Sequence, residues 1–177
     1  MSAAGLRAHA FSAMVAATMH EKFSRSVEIA APVAVVWAFH ERPDALQRLI
    51  PPWQRVELVS SSEPGLQAGK RVVLRQRVGP VWLTMRAVHV EYEEGRLFAD
   101  KVEGGPFSYW LHRHLFAPTA DGGCRLTDEL EYSLRGGALG RLVVGRWFRG
   151  ELEKMFAFRH AVTKKECEAE VRRAGPA

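Results

Sequence analysis

The feature that most restricts the fold of this chain is a change of hydrophobic period at Gly136 and Gly137. Before that point, from Val56 to Leu134, apolar residues recur at every second position through six segments. After it, Val144, Phe148, Leu152, Met155, Phe156 and Val162 recur at helical spacing, with Arg and Glu between them. That spacing predicts a single helix from about Leu139 to Arg172, on the order of 50 Å long. Its apolar stripe must be covered, and the only apolar surface left to cover it is a sheet made of the period-two segments.

The strand segments are residues 56–60, 71–78, 81–92, 97–103, 107–116 and 125–134, separated by Pro64 and Gly65, Gly79 and Pro80, Glu94 and Gly95, Gly104 to Pro106, and Ala120 to Gly123. The last is the most regular: Leu126, Asp128, Leu130, Tyr132 and Leu134 alternate with polar residues, so one face is dry except for Asp128. An earlier alternation, Phe23, Arg25, Val27 and Ile29, predicts a first strand. Pro32 then opens a short helix with Val33, Val36, Trp37 and His40 on one face, and a second short helix runs from Asp44 to Leu49, where Pro51 and Pro52 stop it. The order is strand, two short helices, six meandering strands and one long helix. It is an α+β arrangement of a seven-stranded antiparallel sheet and a helix across one face, not the alternation of a parallel α/β fold.

At 177 residues the chain suits one domain. We divide it into an N-terminal extension, residues 1–21, disordered or helical; one domain, 22–172; and a short tail, 173–177. No run approaches the roughly 18 apolar residues of a membrane helix, so no stable membrane insertion is expected. The net charge of +5 comes largely from arginines, but Glu and Asp are interleaved with them and no nucleic-acid-binding motif appears; no nucleic acid is expected as a partner. Two cysteines, Cys124 and Cys167, define no disulfide framework, and a reducing, cytoplasmic location is expected.

Chemistry-bearing residues concentrate on three consecutive strands. Trp110, His112, His114 and Phe116 project to one face, Asp128 and Tyr132 alternate with leucines on the strand that follows, and Asp100 sits between Phe98 and Val102 on the strand before. If all face inward, imidazoles and carboxylates meet in apolar surroundings, an arrangement suited to acid and base work or to a closed polar network that orients the strands. His-x-His on a strand also offers two metal ligands on one side, but that spacing is common by chance and no Cys cluster or His-Glu-x-x-His helix accompanies it; no metal and no cofactor are assigned. On the long helix, Arg159 follows Phe156 by three positions and reads as an anion clamp, a partner for Asp128, or a side chain that snorkels to solvent. Met155, Phe156, Trp147 and Phe148 read as core. The absence of Gly-x-Ser-x-Gly excludes an α/β-hydrolase, and no residue is assigned a catalytic role.

The chain resembles the START-like SRPBCC superfamily of polyketide cyclase/dehydrase and lipid-transport type from about Phe23 to His160. The matching pieces are Ile29 to Pro32 with Val36 to His40, Leu49 to Pro52, Phe98 to Asp100, Gly105 to Phe107 with Trp110 to Phe116, Asp128 to Tyr132, and Phe156 to His160. It is most similar to the bacterial SRPBCC subgroup also found fused to epimerase-like proteins. The resemblance implies a helix-grip fold, a curved sheet wrapped around the long C-terminal helix. It also implies that a small hydrophobic or amphipathic ligand, such as a lipid, isoprenoid, quinone or polyketide, lies between sheet and helix. Residues expected to line that site are Asp100, Trp110, His112, His114, Phe116, Asp128, Tyr132, Phe156 and Arg159. The alternatives are a cyclase or dehydratase that uses the pocket His and Asp as acid and base, and an interaction module for an epimerase-like partner.

Overall fold

The computed structural model describes residues 20–62 and 64–175, without the side chains of 137–144. All but the last two residues of the expected N-terminal extension lie outside that range.

Seven strands form one antiparallel sheet in the order β1-β7-β6-β5-β4-β3-β2, so the chain starts at one edge, crosses to the other and meanders back. They are β1 (Glu21–Ile29), β2 (Val56–Ser61), β3 (Arg71–Val78), β4 (Val81–Glu93), β5 (Leu97–Gly104), β6 (Phe107–Pro118) and β7 (Cys124–Leu134). Two short helices, α1 (Val33–Glu41) and α2 (Ala45–Arg48), fill the crossing, and the long helix α3 (Gly137–Ala174) follows β7. This is the expected α+β helix-grip architecture.

Local chemistry explains most of these boundaries. The β3–β4 and β5–β6 turns each place a glycine before a proline, Gly79 and Gly105, with φ of 59° and 61°. A tight hairpin needs that left-handed value at its first central residue, and proline supplies the φ of the second. Gly104 is constrained by space as well: a Cβ there would meet the Thr84 carbonyl oxygen at 2.7 Å. Bulges interrupt the register in β2, β4 and β6, between Leu58 and Ser60, His89 and Glu91, and Phe107 and Tyr109. An extra residue bends a strand and increases its twist, which curves the sheet toward α3.

The core is built in two parts on the face toward α3. One joins Ile29, Val36, Trp37, Phe39, Phe98, Phe116, Cys124, Leu126 and Cys167, where α1 closes the sheet. The other joins Phe23, Leu130, Tyr132, Leu152, Met155 and Phe156. The α3 stripe therefore packs as expected at Leu152, Met155 and Phe156, with Phe148 and Val162 partly buried. Val144 lies among the side chains not described. Trp147 corrects the expectation of a core role: it is 61% exposed. One residue before Phe148, it points about 100° around the helix from the stripe, and the sheet reaches only one side of α3. Both cysteines are buried and free. No helix among the described residues is long and apolar enough to cross a membrane.

Candidate functional site

Pairing in the sheet decides which polar residues meet. His112 lies opposite Asp100 on one side and Leu130 on the other; His114 lies opposite Phe98 and Asp128. Directly opposed residues share a face, so Asp100, His112, His114 and Asp128 form one patch on the helix-bearing side, flanked by Phe98 and Leu130. The bulge at Val90 keeps both His89 and Tyr92 on that face, opposite Asp100 and Phe98 respectively.

Asp128 is the centre of the patch. It is buried, and its Oδ1 accepts from His112 Nε2 at 2.8 Å while its Oδ2 accepts from His160 Nε2 at 2.5 Å. His114 Nδ1 lies 2.7 Å from Oδ1, off the hydrogen-bonding direction. Burial works against the charge on Asp128, but the charge-stabilising imidazoles, led by His114, outweigh it and hold the carboxyl well below the usual carboxylate range. Asp100 is in the opposite condition. Burial pushes its carboxyl up, the nearby imidazoles and Arg159 only partly offsetting it. Two carboxylates on opposite sides of the His112 and His114 rings are thus divided into one held as an anion and one pushed toward the neutral acid.

The histidines are equally constrained. Burial lowers His114 to about 3, with His112 adding to the effect against Asp128, so His114 is a neutral imidazole. Its ring stacks on Phe98 at 4.1 Å and sits 4.0 Å from the His112 ring. His40, from α1, is also lowered by burial and donates from Nδ1 to the Val36 carbonyl at 2.8 Å. His89 donates likewise to the Leu66 carbonyl at 2.8 Å.

The nine expected site residues divide into two groups. Asp100, His112, His114 and Asp128 converge, with Phe156 edge-on to His112 at 5.1 Å. Phe116 instead packs with Trp37 and His40 in the first core cluster. Trp110 and Tyr132 face each other at 6.4 Å, and the Tyr132 hydroxyl donates to Glu21, with burial and then that carboxylate pushing it up to about 12. Arg159 lies over the Phe156 ring at 5.6 Å and donates from Nε to the Leu49 carbonyl at 3.2 Å rather than to Asp128. The sequence reading missed His160, His40 and His89 as members of the cluster. His160 had a usable signal, since it follows Phe156 by one helical turn and so shares its face.

A second feature adjoins the patch. By register, Leu74 and Gln76 of β3, Leu83, Met85 and Ala87 of β4, and Val102 of β5 share the helix-bearing face with Asp100. All are half-buried. Among the described residues the α3 backbone approaches β1, β7 and α1 most closely. The result is a strip, apolar except for Gln76, that ends at Asp100, His112 and His114.

Comparison with known proteins gives a family match. Residues 20–161 fit the model described as polyketide cyclase/dehydrase and lipid transport. No curated protein sequence matches the chain. Among solved structures it is similar to an aromatase/cyclase from Streptomyces sp. R1128, at 17% identity and a TM-score of 0.68, over 89% of this chain and 99% of that one. It is also similar to a START superfamily protein from Mycobacterium smegmatis, at 16% identity and a TM-score of 0.59, over 86% and 99%. A nucleoside-diphosphate sugar epimerase from Corynebacterium glutamicum is 26% identical with a TM-score of 0.62, over 81% of this chain but 28% of that one.

Proposed function

The chain belongs to the polyketide cyclase/dehydrase and lipid transport family, and from that premise we propose that it binds or carries a small amphipathic ligand of lipid, isoprenoid, quinone or polyketide type. The ligand lies along the apolar strip from Leu74 to Val102 and sets a polar atom against Asp100 and His114. The observation that carries this reading is the strip itself: half-buried side chains, all but Gln76 apolar, on the helix-bearing face, ending at polar atoms. Covering such a strip with an apolar ligand gains about 25 cal/mol for each Å² removed from water. A cytoplasmic location suits the two buried, free thiols.

The test is the affinity of a fluorescent fatty acid for the full chain. Leu74→Arg puts a charge where the apolar chain would lie and should weaken binding at least about tenfold, or 1.4 kcal/mol. His114→Ala removes one polar partner and should weaken it several-fold, in line with about 0.5–1.5 kcal/mol for one hydrogen bond. Wild-type affinity in Leu74→Arg, or unchanged affinity with lost stability in both His112→Ala and His114→Ala, would overturn the assignment.

A second reading is an enzyme of cyclase or dehydratase type, favoured by the opposite conditions of Asp128 and Asp100 on either side of His112. It requires turnover that His112→Gln abolishes while probe binding persists. An epimerase-like protein is a further candidate partner, since the 26% identical relative carries a similar domain within a longer chain; co-purification of the two would support it.

A further inference from the structure

Asp100 on β5 and His112 and His114 on β6 turn their remaining polar atoms toward one another. His112 Nδ1 lies 3.7 Å, and His114 Nε2 4.0 Å, from Asp100 Oδ1. One ligand-capable atom from each of the three residues lies within 4.8 Å of the other two. These separations are too long for hydrogen bonds.

Asp128, as a carboxylate, can only accept. It takes the Nε2 proton of His112 and faces Nδ1 of His114 at 2.7 Å. An imidazole binds a metal through a nitrogen lone pair, and Nδ1 of His112 and Nε2 of His114 are the nitrogens turned away from Asp128. Those two nitrogens and an Asp100 carboxyl oxygen lie close together with no hydrogen bond among them.

We propose that Asp100, His112 and His114 bind a divalent transition-metal ion, with Asp128 as the positioning carboxylate behind both imidazoles. Two imidazoles and one carboxylate are the donor set of catalytic-type zinc sites and of non-haem iron(II) sites. With metal–ligand bonds of about 2.0–2.2 Å, ligand atoms at the corners of a tetrahedron are about 3.4 Å apart. The two observed separations from Asp100, 3.7 and 4.0 Å, need only small rotamer adjustments to reach that spacing. Metal-bound histidines characteristically give their second nitrogen's proton to a carboxylate, which fixes ring orientation and tautomer. Asp128 already stands in that place for His112, and the His160 Nε2–H on its other oxygen holds it there. Access is available, because His114 and Asp100 side chains are 12% and 17% exposed while His112 is 4% exposed. Arg159 donates from Nε to the Leu49 carbonyl at 3.2 Å and makes no hydrogen bond to Asp100 or Asp128 among the described residues. Three protein donors leave at least one coordination position for water or for a polar atom of a bound molecule.

The test uses the untagged full chain, stripped with chelator and titrated with Co²⁺ followed by visible absorption, and with Zn²⁺ followed by calorimetry. The expected result is one saturable ion per chain with ligand-field bands from nitrogen and oxygen donors, displaced by Zn²⁺. Asp100→Asn and His114→Ala should each abolish the bands, and Asp128→Asn should weaken affinity about 10–100-fold. Asp100→Asn should melt with the metal-free wild type, since it replaces a carboxyl by a neutral group of the same shape. If Asp128→Asn does not fold, the two partly exposed ligands decide the question. No saturable Co²⁺ binding, or bands that survive Asp100→Asn, would overturn the proposal. Fatty-acid probe affinity, measured in chelator, reports separately on the apolar strip, so failure of either assignment leaves the other standing.

Discussion

Replacing Phe156 by alanine tests whether α3 is held to the sheet as described. The side chain has no exposed surface. It stacks on Phe23 of β1 at 5.2 Å, meets the His112 ring edge-on at 5.1 Å and lies beneath Arg159 at 5.6 Å. These neighbours cannot collapse into the space: Phe23 is held by the β1–β7 ladder, and His112 by its bond to Asp128. A rigid surround leaves a cavity, so the cost should fall in the range of about 3–5 kcal/mol for a buried Phe→Ala change. For a chain of this size each kcal/mol lowers Tm by about 2–4 °C, giving a drop of about 6–20 °C. Urea unfolding followed by circular dichroism should show the midpoint falling with an unchanged slope, because the surface exposed on unfolding is nearly the same. Trp147→Ala on the same helix is the control; at 61% exposure it should stay within about 0.5 kcal/mol of wild type. A Phe156→Ala cost as small as the control's would refute the argument that this stripe grips the sheet.

Two further predictions concern acid and the N-terminus. In metal-free protein, burial lowers both His40 and His114 in the fold, the second to about 3. The unfolded chain therefore binds more protons below the ordinary imidazole value of about 6.5, and stability should be full above that pH and fall steadily toward about pH 3. Asp128, held low, adds to the loss at the acid end, whereas Asp100, raised by burial, works in the opposite sense near its own titration. Urea midpoints measured from about pH 7.5 down to pH 4 should fall; a level profile would show that the imidazoles are not kept neutral. A chain beginning at Met19 should melt as the full chain does, because it retains His20, which stacks on Tyr109 at 3.7 Å and bonds Ser133 at 2.9 Å. Scanning calorimetry on the two proteins checks this, and a large loss would mean that residues before Met19 pack on the domain.

The elements and their order were determined by the sequence alone, because their causes are local. Side chains alternate along a strand and recur every 3.6 residues along a helix, so the change at Gly136 separates β7 from α3 without knowledge of any contact. Gly79-Pro80 and Gly105-Pro106 carry the backbone preferences of their turns in their own covalent structure. The inward face of β5, β6 and β7 was legible for the same reason, and neighbouring strands of a meander made Asp100, His112, His114 and Asp128 natural neighbours. Tertiary structure decided the rest. Which nitrogen meets which oxygen depends on register, and a slip by one residue would turn every one of these side chains to the other face. His160 reaches Asp128 from α3, and His40 approaches from α1, only because of how each helix is rotated and seated against the sheet. The exposure of Trp147 and the turn of Arg159 to the Leu49 carbonyl follow from the same seating. Helical period gives relative angles around an axis, but the absolute direction of each side chain is set by packing between segments distant in the chain.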